Sequence, residues 1–354
     1  RKHYIDNLRS ILILILIPYH AAMAWNVWEE PNYIFFDGNR IISSIVVFFS
    51  PFFMAALFML AGISTCFALK KKTFWQYLSE RFRKLIIPFL LGTLILMPPI
   101  TYIADKFNTG YSGNFLRHYT VFFTKFTDLT GADGGFSVGH FWFLLYLFII
   151  SLAGIGIIAV QKRIKSEQAK NIPMWLICMA GLTLPLLSNL LSVGGKSLAE
   201  YLYLFLLGYY FFSEESIIRK TERYKWIFLC IGLSATVLNV YLFLWSNTKY
   251  PIINSAAKYT AEWFMLLTLI GIGKGFLNFK TELTSYLSKI SFRFYIYHYI
   301  WLVMFQYLIF RLFNENTLLL YAVPVFLSYI ATFICCEASR KISSCKSGKR
   351  SVGN

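Results

Sequence analysis

Ten stretches of this chain are apolar for long enough to cross the roughly 30 Å of hydrocarbon in a bilayer. They run near 10–25, 46–69, 85–103, 140–160, 173–193, 202–212, 226–245, 259–277, 286–313 and 318–333, the sixth being short. Backbone groups in lipid have no water to bond, so a spanning segment must satisfy itself, and runs of this length do so as helices. The expected fold class is an all-α integral membrane protein of about ten transmembrane helices, forming a single multi-pass domain over residues 1–340. Charged residues make up only 14% of the sequence, against about a quarter in soluble domains.

The cations set the orientation. One set of alternate connections carries Lys70, Lys71, Lys72, Arg81, Arg83 and Lys84, then Lys162, Arg163, Lys165 and Lys170, then Arg219, Lys220, Arg223 and Lys225, then Lys274 and Lys280. The other set has only Arg40, Lys106, Arg117, Lys125, Lys196, Lys249 and Lys258. With Arg1, Lys2, Arg9 and the basic tail, roughly 25 of the 34 basic residues share one side, which predicts both termini in the cytoplasm and a multi-pass protein of the cytoplasmic membrane. The tail, 341–354, is expected to be disordered. The net charge of +17 is then mostly topology, reinforced by attraction to anionic lipid. No basic stripe interleaves with aromatics, so the bilayer is the expected partner and nucleic acid is not.

Cys66, Cys178, Cys230, Cys335 and Cys336 lie in or at the ends of apolar runs and Cys345 in the tail, without CxxC or Cys/His spacing. Neither disulfides nor a metal site is expected. The first span lacks a small-residue cleavage site and reads as retained; the chain begins at Arg1, so a residue or two is expected upstream. In the longest connection, 104–139, "FLRHYTVFFTKF" between two glycine-rich turns reads as an interfacial piece or a plain loop.

Several polar residues sit where lipid makes them expensive. Arg9 and His20 are eleven positions apart on the first span, which returns them to within about 20° of one helix face, about 16 Å apart. An ionisable group at mid-membrane is by default a functional site facing the bundle interior; the bland alternative is a structural histidine bonded to another helix. In the ninth span, "LSKISFRFYIYHYIW" places Ser291, Tyr295 and His298 on one stripe, with Arg293 also at depth. "ERFRKLIIP" puts Arg81, Arg83 and Lys84 at the cytoplasmic mouth of the third span, either as a phosphate clamp or as a positive-inside flank. "GHFWFLLYL" sets His140 and Trp142 at the outer start of the fourth span, and Glu262, Glu200 and Asp37 are outer-end carboxylates. There is no HxxxD pair, HExxH or Walker loop.

These segments together resemble the membrane-bound acyltransferase-3 family. Its first helix has arginine, ten residues, then histidine, and "YIDNLRSILILILIPYH" supplies Asp6, Arg9 and His20 in those places. "FMLAGIST", "RFRKLIIP" and "LSKISFRFYIYH" are similar to three further family patterns, and "GHFWFLL" with "YIDNLRS" to the branch that includes the glucan succinyltransferases. The resemblance implies about ten helices and transfer of an acetyl or succinyl group from cytosolic acyl-CoA to a hydroxyl of an extracytoplasmic carbohydrate. It implies His20 as the catalytic histidine, Arg9 as its partner and Arg81 with Lys84 as the donor-binding pair. The second of that pair is usually arginine, so Lys84 keeps the charge and loses the fork. No fused extracytoplasmic domain is seen, which leaves room for a separate synthase or acceptor-delivery partner.

A mechanism fits both readings. His20 acts as general base on the acceptor hydroxyl. Arg81, Arg83, Lys84 and Arg9 hold the phosphates of the donor, which is a substrate and not a bound cofactor. Tyr295, His298 or Arg293 stabilises the oxyanion, and His140, Trp142 and Glu262 meet the acceptor. Arg293 is also the one deep cation that could favour a dicarboxylic donor. The rival readings are a transporter or flippase of a polar or lipid-linked sugar, using the same residues as a pathway, and a membrane anchor for a separate polymer synthase.

Overall fold

The computed structural model describes residues 2–161, 172–313 and 316–350. Arg1, the loop cations Lys162, Arg163, Lys165 and Lys170, and residues 351–354 of the basic tail lie outside the described residues. Among the described residues the fold is all-α apart from a two-residue pairing of Ser192–Val193 with Lys196–Ser197.

Among the described residues, six helical stretches are long and apolar enough to span a membrane: His3–Met23, Arg40–Leu69, Phe74–Asn108, Gly139–Val160, Lys225–Trp245 and Thr317–Ile342. The other four expected segments fold differently in length or polarity. Met174–Leu187 is apolar but shorter, and Leu198–Tyr210 has 13 residues. Pro251–Phe276 and Glu282–Leu312 are long, but the first carries Glu262 and the second Arg293, His298 and six tyrosines and glutamines between them. A helix that turns polar groups inward loses mean hydropathy for that reason.

The chain divides into two compact units, Arg1–Arg9 with Ser44–Ile87 and Phe143–Lys280, and Ser10–Ser43 with Pro88–Trp142 and Thr281–Asn354. In the first unit, helix Phe53–Leu69 packs along helix Leu198–Tyr210. A Cβ at Gly62 would strike the Phe205 carbonyl, and one at Gly208 the Met59 carbonyl. Small residues of this kind let two apolar helices approach closely enough for dispersion to hold them where lipid offers no hydrophobic driving force. Helix Pro251–Phe276 packs on Lys225–Val240 and on Glu215–Arg223. Glu215 fastens the last of these, with Lys274 Nζ at 2.7 Å and Lys2 Nζ at 3.1 Å from its carboxylate.

In the second unit, helix Glu282–Leu312 is the hub, packing on Thr317–Arg350, Leu16–Met23 and Met97–Asn108. Prolines shape its neighbours. Pro18 has no N–H for the carbonyl of Leu14 four residues earlier, and the helix is interrupted at Ile15, between His3–Leu14 and Leu16–Met23. Tyr329 Oη donates to that carbonyl at 2.6 Å, and Tyr321 Oη donates to the carbonyl of Pro18 itself at 3.2 Å. Pro98 likewise frees the carbonyl of Leu94 in the π-helical turn Gly92–Leu96, and Tyr119 Oη donates to it at 2.6 Å.

Tyr119 belongs to helix Phe115–Thr124, the form taken by the "FLRHYTVFFTKF" piece of the long connection. Asn114 Oδ1 caps it by accepting from the Arg117 N–H at 2.9 Å. His118 and Phe122 are buried while Leu116, Tyr119 and Phe123 stay exposed, the amphipathic pattern of an interfacial helix. His118 Nε2 lies 3.2 Å from Asp105 Oδ2; burial pushes the imidazole below its ordinary value although Asp105 pulls the other way.

The Glu215 cluster predicts an acid-sensitive fold. Its carboxyl is held down to about 2, first by the hydrogen bond from Lys274 and then by Lys2. A depressed carboxyl stabilises the fold above its unfolded pKa, near 4.3, and that contribution fades as pH falls toward about 2. Thermal unfolding in detergent should lose stability between pH 5 and pH 3, and Glu215→Gln should show a shallower loss over that window; equal slopes would contradict the assignment.

Candidate active site

The second unit gathers three histidines that lie far apart in sequence. His20 comes from helix Leu16–Met23, His140 from the 3-10 turn Gly139–Phe141, and His298 from helix Glu282–Leu312. The His298 ring centroid is 5.5 Å from that of His20 and 5.0 Å from that of His140. His298 is 0% and His140 6% exposed, whereas His20 is only half-buried. Of the three, His20 is the one whose surface the rest of the chain leaves partly uncovered. Tyr299 stacks on His20 with centroids 4.4 Å apart, and Tyr33 meets the Tyr299 edge at 5.3 Å.

Accounting for protons in this cluster narrows the roles. His298 Nδ1 is 2.8 Å from the Tyr295 carbonyl oxygen. A carbonyl only accepts, so in the neutral ring Nδ1 carries the hydrogen and Nε2 keeps its lone pair. That Nε2 is buried and makes no hydrogen bond. The Tyr295 hydroxyl donates to the His140 backbone carbonyl, so its hydrogen is already committed. Neither residue therefore offers a free donor to an oxyanion in this arrangement. Both ring nitrogens of His140 are buried without a hydrogen bond of acceptable geometry, with the backbone of Tyr295 and Ile296 close by. One of those nitrogens must carry a hydrogen, and the backbone of Tyr295 and Ile296 offers it acceptors at looser geometry.

Around these rings the outer loop is tightly bonded. Tyr33 Oη and Ser137 Oγ are 3.2 Å apart, and Ser137 Oγ also accepts from the Gly139 N–H at 3.0 Å, just ahead of His140. Burial pushes the Tyr33 phenol up to about 12, so it stays a neutral hydroxyl.

The first unit gathers the cationic residues. Arg9 donates to Ser64 Oγ at 2.8 Å and lies 3.4 Å from Asp6. Arg81 Nε donates to Tyr77 Oη at 2.6 Å, its terminal nitrogen donates to Thr65 Oγ1 at 3.1 Å, and those two hydroxyls are 2.7 Å apart. Adjacent hydroxyls of the "GIST" segment therefore anchor both arginines. Arg81 is half-buried, while Arg83 and Lys84 are exposed on the π-helical turn Phe82–Ile86, a distortion that recurs at functional sites. Lys84 Nζ lies 3.6 Å from Glu80.

The remaining expected residues are Arg293, Trp142 and Glu262. Arg293 precedes His298 by five residues, about 140° around the helix, and its guanidinium acts on Cys336 of helix Thr317–Arg350. Trp142 is half-buried at the head of helix Trp142–Val160. Glu262 is buried in the first unit beside Glu200 and within the field of Lys258. Sequence reasoning missed Tyr299, Tyr33, Asn32 and Ser137 in the cluster, and Tyr77 and Thr65 under Arg81. Tyr299 alone had a readable signal, standing one helical turn beyond Tyr295 and next to His298.

Residues 2–337 match the acyltransferase domain that defines the acyltransferase-3 family. The chain belongs to this family. No curated protein and no solved structure matches it. As a multi-pass membrane acyltransferase it needs a basic group with access to an acceptor, and the transporter reading loses its ground.

The proton accounting in this acyltransferase site makes a prediction. Tyr295→Phe removes the donor to a buried carbonyl, which should lower stability by about 1–3 kcal/mol and lower acyl transfer per folded molecule less than tenfold. A loss of 100-fold or more at unchanged stability, the size expected for an oxyanion donor, would restore Tyr295 to that role. Thermal unfolding and turnover on the same preparation separate the two.

Proposed function

We propose that this chain is a membrane O-acyltransferase that moves an acetyl or succinyl group from cytosolic acyl-CoA to a hydroxyl of an extracytoplasmic carbohydrate, with both termini cytoplasmic and about ten spans. One observation carries the proposal: His20 is the partly exposed member of an otherwise buried cluster of three histidines. A base must reach its substrate while lying in surroundings that exclude bulk water, and that placement supports the assignment of His20.

In this reading His20 takes the proton of the acceptor hydroxyl as its oxygen attacks the thioester carbonyl. The tetrahedral intermediate then collapses, the C–S bond breaks, and the thiolate takes the proton from His20 and leaves as free CoA. The N–H of His140 serves the developing oxyanion or an acceptor oxygen, and the lone pair of His298 Nε2 accepts from a substrate hydroxyl. Trp142 and Glu262 are assigned to acceptor binding by the sequence pattern, and a separate synthase or acceptor-delivery protein remains part of the proposal. Arg81 supplies the phosphate fork, supported by its hydroxyl anchors, with Arg83, Lys84 and Arg9 adding charge. The choice between succinyl and acetyl is left to donor competition, because Arg293 projects from a helix face other than that of His298.

The test is transfer of labelled acetyl or succinyl from the CoA thioester, by membranes carrying the protein, onto extractable cell-envelope glycans. Wild type should label the glycan fraction and His20→Ala, at equal expression, should not; equal labelling would make His20 structural. Arg81→Lys keeps the charge and loses the fork, so the KM for acyl-CoA should rise roughly tenfold with kcat within about threefold. An unchanged KM would remove Arg81 from the donor site.

A further inference from the structure

Tyr299 belongs to none of the sequence patterns, yet it is the residue most tightly fitted to His20. The two rings lie face to face, 4.4 Å between centroids and 22° between planes. Tyr299 is 5% exposed, with the Tyr33 ring against one edge at 5.3 Å and the His140 ring at 5.4 Å, both nearly perpendicular. Its hydroxyl donates to Asn32 Oδ1 at 3.2 Å. Asn32 is itself fixed: the same oxygen accepts from the Tyr33 N–H at 2.9 Å, and its carbonyl accepts from Asn108 Nδ2 at 3.0 Å. Asn108 Nδ2 also donates to the Ala132 carbonyl at 2.8 Å. The tyrosine ring is thus clamped at its tip, its edges and one face, and His20 rests on that face.

We propose that Tyr299 is a positioning residue for His20, which fixes the plane of the imidazole and whose π face stabilises the imidazolium formed when His20 takes the acceptor proton. This rests on the reading of His20 as the base. A neutral imidazole gains only packing from the ring below it, whereas an imidazolium gains the attraction of the ring quadrupole in a dry setting. The contact therefore strengthens as the reaction proceeds, which is the condition for raising kcat and not merely binding. The hydroxyl serves to aim the ring through Asn32, and the ring serves the chemistry.

The experiment uses the full chain in nanodiscs with labelled acetyl-CoA or succinyl-CoA and extracted envelope glycan. Tyr299→Leu should lower kcat about tenfold with the KM for acyl-CoA within about twofold, and Tyr299→Phe should recover kcat to within about threefold of wild type. A second series keeps the shape and removes the quadrupole: phenylalanine at position 299 carrying one, two and three ring fluorines should lower kcat stepwise. Should the leucine variant not fold, the fluorinated series decides alone. Wild-type kcat in Tyr299→Leu, or no trend with fluorination, overturns the proposal while leaving His20 as the base. His20→Ala is run in parallel, and full turnover in that variant overturns the base assignment and this inference together.

Discussion

A carbonyl that loses its N–H partner inside a bilayer has no water to turn to, and much of the second unit is arranged around that fact. Pro18 and Pro98 each free a carbonyl four residues back, and in each case a tyrosine hydroxyl from another helix takes the place of the missing donor. The first repair matters most for chemistry. Pro18 stands two residues before His20, so the break at Ile15 and its closure by Tyr329 and Tyr321 set the direction of the short helix that carries the histidine. The interruption does not loosen the site, because helix Thr317–Arg350 holds it from outside.

The same accounting separates the polar groups of the cluster. Tyr295 and His298 look equivalent as donors when only residue types are considered, but each already gives its hydrogen to a backbone carbonyl. What is left in the cluster is the lone pair of His298 Nε2, the His140 ring and the partly exposed ring of His20.

Much of the site could be read from the sequence, because charge in lipid is conspicuous. His20 and His298 stood out for their depth, and His140, Arg9 and Arg81 for their place at the ends of spans. Polar depth could not tell which groups were already engaged, since the carbonyls that occupy Tyr295 and His298 belong to the backbone and leave no mark in residue type. Tyr33 hid among 23 tyrosines, most of which pack or line interfaces. Hydropathy identified apolar helices well and was least informative for Pro251–Phe276 and Glu282–Leu312, whose inward polar groups are the reason they matter. The anchoring of Arg9 and Arg81 through Ser64 and Thr65 depends on which side chains face each other, and only the fold supplies that.

The central claim is that His20 performs proton transfer in acyl transfer from CoA. It is tested most directly by single-turnover release of free CoA thiol from purified protein in nanodiscs, with extracted envelope glycan as acceptor, for wild type and His20→Asn. The account predicts acceptor-dependent release by wild type and release slower by about 100-fold to 10,000-fold in His20→Asn, with acyl-CoA binding unchanged. Release within tenfold of wild type in His20→Asn would contradict it.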